Sequence, residues 1–246
     1  MGNRPGISPD TMTHLVLLHG WGTTGEVWYR QKSAFAHQNL KVLTPTFPTW
    51  EAGWLIAFLK ELPGPDTAVV GWSLGGMLLL EALSLIPWRP AALVLVATPA
   101  KFCQGEDHPA GHEKAAVRAM RRALLRDSGQ VLADFAARCL APQEKAFGEE
   151  ARKVFSGSPN KAYLTAGLDY LMNTDLRPCL LRTPPGAHIL QGEADAVVPP
   201  AQARILARLL PKSQVRWFPG AGHLPFLTQA EAFHRMLRKI LGKIRN

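Results

Sequence analysis

A serine lies at the centre of the motif Gly71-Trp72-Ser73-Leu74-Gly75, between an apolar run that predicts a strand and one that predicts a helix. A hydroxyl at such a turn is lifted out of the sheet and becomes accessible at the carboxyl end of the strand. The glycines allow the strand and helix backbones to pass close together. The motif also occurs by chance, so an ordinary glycine-rich turn is the alternative interpretation.

A serine nucleophile needs a base to accept its proton and an acid to orient that base. His223 directly follows the last predicted strand, and Asp195 directly follows the strand before it. Both side chains are therefore expected at the carboxyl edge of the sheet, beside Ser73. The order Ser, Asp, His along the chain is typical of α/β-hydrolases. Glu193 is the alternative acid, but it lies closer to the strand end, so we predict that Asp195 is the acid.

The first predicted core strand ends at His19-Gly20-Trp21-Gly22. In α/β-hydrolases the loop at this place donates one backbone N–H to an oxyanion hole, and the residue after the nucleophile donates another. The sequence therefore predicts that the backbone N–H groups of Trp21 and Leu74 form this hole. A simple glycine turn is again the alternative.

Alternating short apolar runs and helical periodicities surround these motifs. Strands are predicted at residues 14–18, 41–44, 67–70, 91–97, 187–191 and 214–218, and helices at 54–62, 74–86, 200–210 and 231–244. Between residues 101 and 182 the periodicity is helical and no strand is predicted. This arrangement indicates an α/β fold with a doubly wound, mostly parallel sheet. Residues 1–100 and 183–246 are expected to form its core, and residues 101–182 an inserted helical lid.

The composition is that of a folded protein of 246 residues, with 47% hydrophobic and 19% charged residues. The longest apolar runs fall far short of the ~20 residues that a membrane-spanning helix needs, so no membrane span is expected. The three cysteines, Cys103, Cys139 and Cys179, lack the spacing of metal ligands and predict free thiols. Free thiols suit a reducing compartment, and a cytoplasmic location is expected.

The chain is basic, with 28 Lys and Arg against 19 Asp and Glu and a formal net charge of +9. Such an excess favours acidic partners. Five basic residues of the predicted lid share one helix face without an intervening acid: Lys114, Arg118, Arg121, Arg122 and Arg126. Val117, Met120 and Leu124 fall on a neighbouring apolar face. We predict that this basic face docks an anionic partner; a solvated helix face is the alternative.

Other binding chemistries have weaker signals. The basic residues near the C-terminus have no interleaved aromatic residues, so no nucleic-acid binding is expected (Arg235, Arg238, Lys239, Lys243 and Arg245). His108 and His112 lie near Asp107 and Glu113, but no spaced ligand set completes a metal site, and a polar loop is the prediction. No phosphate-binding glycine motif occurs, and no cofactor is expected.

Several segments together resemble the carboxylesterase family of biotin synthesis. They are His19-Gly20-Trp21-Gly22, Gly71-Trp72-Ser73-Leu74-Gly75-Gly76, Gly167-Leu168-Asp169-Tyr170-Leu171, Thr174-Asp175-Leu176-Arg177 and Gly222-His223-Leu224-Pro225-Phe226. The resemblance implies hydrolysis of the methyl ester of pimeloyl-acyl-carrier protein without a cofactor. We expect the protein to be a monomer. The acidic carrier would dock on the basic lid face. The implied substrate-binding positions are Trp21, Ser73, Leu74, His223, Phe135, Ala136, Ala137, Arg138 and Cys139.

The sequence departs from the superfamily in the segment Thr44-Pro45-Thr46-Phe47-Pro48, which lacks the common Asp-x-Pro-Gly-x-Gly pattern. A first hairpin is also expected to be short or missing. Two other classes of function stay open at this point. One is a different enzyme on this fold, either a small-ester or thioester hydrolase or a lyase of menaquinone synthesis. The other is a non-catalytic binding protein.

Overall fold

The computed structural model describes residues 13–36, 40–157, 160–180 and 186–242. Its strands form one sheet in which every neighbouring pair is parallel, in the order β2-β1-β3-β4-β5-β6. Their bounds are β1 His14–Leu18, β2 Lys41–Leu43, β3 Thr67–Trp72, β4 Ala92–Val96, β5 Ala187–Gly192 and β6 Gln214–Phe218. The central strands β3 and β4 are buried at every residue, as expected for a sheet covered on both faces.

Successive side chains of a strand point to opposite faces of the sheet, and here both sets are apolar. Helices therefore pack on both faces and bury them. Leu15 and Leu17 pack with α1 (Tyr29–Phe35), α9 (Pro225–Thr228) and α10 (Ala230–Gly242). Val16 and Leu18 belong to the cluster on the opposite face. That cluster includes side chains of α2 (Ala52–Lys60), α3 (Leu74–Leu85) and α8 (Pro200–Leu209). The predicted doubly wound α/β fold is confirmed.

Among the described residues, four helices lie between β4 and β5, in the segment that we call the lid (residues 101–180). They are α4 Lys114–Arg126, α5 Ser128–Arg138, α6 Gly148–Ser156 and α7 Lys161–Asn173, with a 3-10 helix at Pro142–Phe147. Side-chain caps start two of them: Asp127 accepts a hydrogen bond from the Gln130 N–H, and Asn160 accepts one from the Tyr163 N–H. Residues 181 and 182, the predicted end of the lid, fall outside the described part of the chain.

The two ends of the lid are paired with each other, and its last helix is hydrogen-bonded to the core. Lys101 and Arg177 both pair with Asp175, at N–O distances of 3.2 and 2.6 Å, and the Arg177 hydrogen bond holds the pKa of Asp175 below its usual range. The indole N–H groups of Trp21 and Trp50 donate to backbone carbonyls of α7, at 2.8 and 3.1 Å. The lid therefore packs as part of the folded domain.

Each of the six predicted strands and four predicted helices lies within a few residues of its expected place. Helix α1 has no counterpart in the sequence prediction, because its seven residues bury only Gln31 and Phe35 and make no repeating pattern. The tail at residues 1–12, where the first hairpin is expected to be short or missing, lies outside the described residues. The end of the last predicted helix, at residues 243 and 244, also lies outside them. None of the helices described is long and apolar enough to span a membrane.

Candidate active site

The serine turn joins β3, which ends at Trp72, to α3, which begins at Leu74. Ser73 adopts φ +54° and ψ −122°, a left-handed conformation that is strained for a residue with a side chain. Two backbone hydrogen bonds hold it: the Ser73 N–H donates to Val96 O at 2.9 Å, and the Met77 N–H donates to Ser73 O at 3.1 Å. The strained turn thus has a fixed geometry between strand and helix.

Glycine is required around this turn because backbones meet there. A β-carbon on Gly71 would lie 2.6 Å from the Gly76 α-carbon, and one on Gly75 would lie 2.1 Å from His19 O. The first contact closes the strand-to-helix turn. The second brings the loop after β1 against the beginning of α3, beside the serine.

His223 and Asp195 reach the serine from the ends of two other strands. The Ser73 hydroxyl lies 3.0 Å from His223 Nε2, and His223 Nδ1 lies 2.8 Å from Asp195 Oδ2. A carboxylate can only accept, so Nδ1 carries the imidazole proton and Nε2 can accept the serine proton. Both side chains are fully buried, while Ser73 is 8% exposed. The three groups form one continuous hydrogen-bonded chain that ends at an accessible hydroxyl.

Asp195 is held by its own loop. Its Oδ1 accepts from the N–H groups of Val197 and Val198, both at 2.8 Å, and its Oδ2 also accepts from the Gln191 amide at 3.0 Å. These bonds orient the carboxylate toward His223. Glu193, the alternative acid, has an exposed side chain.

The loop after β1 is held by a buried neutral histidine. The His19 Nδ1–H donates to Gly20 O at 2.9 Å, and its Nε2 accepts from the Phe47 N–H at 3.1 Å. Burial lowers the pKa of His19 to about 4. A β-carbon on Gly20 would lie 3.2 Å from the Ser73 β-carbon, so the loop that leads to Trp21 passes beside the serine.

The Leu74 backbone N–H belongs to the first turn of α3, where N–H groups have no acceptor within the helix. The Leu74 side chain is completely buried and packs into the core. Leu74 can therefore contribute its backbone to chemistry at Ser73 while its side chain anchors the helix.

Ser73 opens into a cavity of about 280 Å³ between the core and the lid. Trp21 lines it from the core, and Val117, Met120 and Leu168 line it from lid helices α4 and α7. These side chains are apolar. Polar groups in the lining include those of His112, Asp134 and Arg138, and the last two are exposed. The cavity can take an acyl chain with its carbonyl at the serine.

His112 lines the cavity, at a place where the sequence predicts a polar loop. Its Nε2–H donates to Val197 O at 2.7 Å, and its ring lies 4.9 Å from that of Phe102. Burial lowers its pKa. Val197 also donates to Asp195, so His112 connects the lid entry to the loop of the acid. The two partners are 85 residues apart in sequence, and no local pattern indicates the contact.

The structure places the lid positions implied by the resemblance in three different surroundings. Phe135 and Arg138 line the cavity, whereas Ala137 lines a neighbouring groove. Ala136 and Cys139 are completely buried in the core cluster that contains β3 residues such as Val70. The cause is helical geometry: residues three or four apart share a face, so five consecutive residues cannot all face one cavity.

The basic face of α4 is mostly open to solvent. Arg121 is the exception, because its guanidinium pairs with Asp169 of α7 at 2.8 Å. The other members of the predicted set are exposed: Lys114, Arg118, Arg122 and Arg126. The apolar residues Val117 and Leu124 are buried beneath them.

The two histidines considered as metal ligands contact backbone carbonyls instead. His108 Nε2 lies 2.9 Å from Lys101 O, and His112 bonds to Val197 O. Within the described ranges, no group of three or more His, Cys, Asp or Glu side chains could hold a metal ion. The three cysteines are free.

A family model and several curated relatives assign this chain to the same family. The family model for the alpha/beta hydrolase family matches residues 15–236. A pimeloyl-[acyl-carrier protein] methyl ester esterase of Aromatoleum aromaticum is 33% identical, covering 88% of this chain and 93% of that protein. One of Chromobacterium violaceum is 31% identical, covering 96% and 95%.

Among solved structures, an esterase from Exiguobacterium antarcticum superposes with a TM-score of 0.85 at 19% identity, covering 96% of this chain and 93% of that one. At this identity the likeness shows the fold alone. The sequence relatives and the family model agree with it. The chain therefore belongs to the alpha/beta hydrolase family.

Proposed function

We propose that this protein is a serine carboxylesterase that hydrolyses the methyl ester of pimeloyl-acyl-carrier protein. The observation that carries the proposal is the hydrogen-bonded chain from Asp195 through His223 to Ser73, which ends at an apolar cavity. The near full-length relatives named for this reaction support the choice of substrate.

In the first half of the reaction, His223 Nε2 accepts the hydroxyl proton while Ser73 Oγ attacks the ester carbonyl. The tetrahedral intermediate collapses when the C–O bond to the methoxy group breaks. His223 gives its proton to the leaving methoxide, and methanol departs. Asp195 keeps the imidazole in the required tautomer and stabilises its positive charge.

In the second half, a water molecule attacks the acyl-serine. His223 takes one proton from this water and returns it to Ser73 Oγ, so the products are the free carboxylate and the restored enzyme. Both tetrahedral intermediates carry a negative oxygen. The backbone N–H groups of Trp21 and Leu74 stabilise it, which fits the loop of Trp21 beside the serine and the position of Leu74 at the start of α3.

The cavity accommodates the methylene chain of the acyl group. Trp21 and Phe135 meet edge to face with 5.0 Å between ring centroids and form part of its apolar wall. Arg138 is exposed in the same lining, where it can meet a polar end of the substrate that leaves the cavity.

The carrier protein docks on the lid through exposed cations of α4. Acyl-carrier proteins are acidic, and several surface charges acting together raise the rate of encounter with such a partner. Arg118 and Arg122 are available for this contact, together with Lys114 and Arg126. Arg121 is engaged with Asp169 and is left out of the docking set. The free thiols support a cytoplasmic location.

The test is to measure which bond of a carrier-linked substrate breaks. Methyl pimeloyl-acyl-carrier protein is incubated with the enzyme, and released methanol and released carrier thiol are both quantified. We expect methanol and an intact thioester. Release of the thiol would identify a thioester hydrolase instead. Free methyl pimelate and p-nitrophenyl esters of increasing length give the acyl preference, and inertness toward all of them and toward the carrier-linked ester would contradict an esterase.

A fluorophosphonate probe tests the nucleophile independently of the substrate. The probe should label Ser73, and the Ser73→Ala variant should not be labelled. A wild-type protein that resists the probe would favour a non-catalytic binding protein.

A further inference from the structure

A buried carboxylate of the lid, Glu144, bonds to the loop that carries His223. Glu144 lies on the 3-10 helix Pro142–Phe147 and is 6% exposed. Its Oε2 accepts from the N–H groups of Ala141 and Gly222, both at 2.8 Å. Within the described residues it forms no ion pair, and its Oε1 has no hydrogen-bond partner. A buried polar group is costly unless it is hydrogen-bonded, so the two bonds from backbone N–H groups are what hold this carboxyl.

The bond between Glu144 and Gly222 joins residues that are 78 positions apart. Gly222 is the residue immediately before the catalytic base, His223. A second lid bond lies beside it, because the His223 N–H donates to Cys139 O at 2.8 Å. On the other side, the Trp72 indole N–H donates to His223 O at 3.1 Å. The backbone of His223 is thus held between the lid and the end of β3.

The lid and the loop that contains Gly222 and His223 are also closely packed, with no room for a side chain at Gly222. A β-carbon on Gly222 would lie 2.4 Å from Cys139 O, 2.8 Å from Ala141 N and 2.9 Å from Glu144 Oε2. A displacement of the 3-10 helix must therefore move Gly222 or break its bonds. Since the imidazole follows its backbone, such a movement changes the 3.0 Å contact between His223 Nε2 and Ser73 Oγ.

We propose that Glu144 is a positioning residue, which ties the lid to the Gly222-His223 segment and thereby sets the base at hydrogen-bond distance from the nucleophile. The inference rests on the proposed hydrolase mechanism, in which His223 is the base. The competing explanation is that Glu144 stabilises only its own helix through the Ala141 N–H. The bond to Gly222 separates the two explanations, because a helix cap does not need it.

The experiment compares Glu144→Gln and Glu144→Ala with a control, Glu149→Ala. Glutamine keeps one oxygen that can accept both N–H groups, whereas alanine removes the acceptor. Glu149 is an exposed glutamate of the same lid, on α6. For each variant we measure the rate constant of fluorophosphonate labelling at Ser73, kcat and KM for a short p-nitrophenyl ester, and the unfolding midpoint.

We expect Glu144→Ala to lower kcat and the labelling rate in parallel with little change in KM. The loss should be about 10²-fold, the scale that follows from misplacing a catalytic group by ~1 Å. Glu144→Gln should recover most of the labelling rate, and Glu149→Ala should behave as the wild type. A structural role alone would lower the unfolding midpoint and leave the labelling rate of folded protein unchanged.

Glu144→Asp keeps the inference testable if the alanine variant does not fold. Its carboxylate is one methylene shorter and still lies near Ala141 in sequence, but it is drawn back from Gly222. We expect it to lose labelling rate as the alanine variant does. Wild-type labelling rates in every folded variant would overturn the positioning role while leaving the hydrolase proposal intact. Absence of labelling in the wild type would instead contradict the proposed function.

Discussion

The carboxyl edge of the sheet and the lid hold their functional side chains by different means. At the sheet edge, Ser73 and Asp195 are held by hydrogen bonds to nearby backbone groups. The Ser73 N–H donates to Val96 O of the neighbouring strand β4, and the Val197 N–H donates to Asp195 Oδ1. In the lid, Phe135 and Arg138 reach the cavity only because helix α5 is packed in one orientation. In the proposed mechanism the sheet edge therefore carries the chemistry, and the lid shapes what reaches it.

His223 belongs to both regions. Its imidazole bonds to Asp195 and Ser73 of the core, while its backbone N–H donates to Cys139 of the lid. If the sheet edge performs the reaction and the lid only controls what reaches it, substitutions at the sheet edge should lower kcat for every ester. Substitutions on the outer lid should raise KM for the carrier-linked ester alone.

The largest effect is expected for Ser73→Ala, which removes the nucleophile. Ester hydrolysis should fall by about 10⁶-fold, as in serine hydrolases that lose this hydroxyl. The unfolding midpoint should stay close to that of the wild type, because the hydroxyl faces the cavity and contributes little packing. Hydrolysis by the purified variant at near wild-type rate would contradict the assignment of Ser73.

The next effect is expected for Asp195→Asn. An amide in place of the carboxylate favours the wrong tautomer of His223, and kcat should fall by about 10⁴-fold for small and carrier-linked esters alike. The matched control is Glu193→Gln, which neutralises an exposed carboxylate of the same loop. If the control were the damaging change and Asp195→Asn were mild, Glu193 would be the acid.

A smaller and selective effect is expected on the lid surface. Reversing Arg118 and Arg122 to Glu should raise KM for methyl pimeloyl-acyl-carrier protein by up to about thirtyfold, because exposed ion pairs contribute ~0.2–1 kcal/mol each and ~1.4 kcal/mol is a factor of ten. Salt should weaken wild-type binding in the same way, since the Debye length falls from ~10 Å at 0.1 M to ~3 Å at 1 M. The KM for a small free ester should stay unchanged.

The control for this pair reverses two exposed cations of the core helix α10, Arg235 and Lys239. It changes the net charge equally but leaves the lid intact. Equal increases in KM for both pairs would show that only net charge matters. No increase for the lid pair at low salt would make the basic face of α4 an ordinary solvated surface.

The smallest effect concerns acid stability, to which both regions contribute. Burial lowers the pKa of His19 in the core to about 4, from an ordinary value of 6.5, and also lowers the pKa values of His108, His112 and His234. Below pH 6.5 the unfolded chain binds protons that the folded protein does not. The free energy of unfolding should therefore fall as the pH drops from 6.5 toward 4.

Urea unfolding at several pH values measures this dependence, to which each histidine adds at most ~1.4 kcal/mol per pH unit. His234 lies on α10, away from the cavity. The His234→Gln variant should make the free energy of unfolding depend less steeply on pH, by the contribution of this one histidine. A free energy of unfolding that stays constant between pH 6.5 and 4.5 would contradict neutral buried histidines.

The fold and the core of the candidate site could be predicted because their signals are local. Continuous apolar runs mark β3 and β4, and Gly71 and Gly75 mark the serine turn. Once parallel strands are inferred, their carboxyl ends must meet at one edge, which is why Ser73, Asp195 and His223 could be expected together. The strand order could not be read in this way, since β1 lies between β2 and β3 through a crossover that leaves no mark on any one segment.

The sequence by itself determined where the strands end and which reactive side chains follow them, because these features depend on neighbours along the chain. Only the tertiary structure decided the contacts of the lid: Arg121 with Asp169, His112 with Val197, and Glu144 with Gly222. These partners are 48, 85 and 78 residues apart. Helical periodicity tells which residues share a face but not what that face meets, since packing between distant segments decides it.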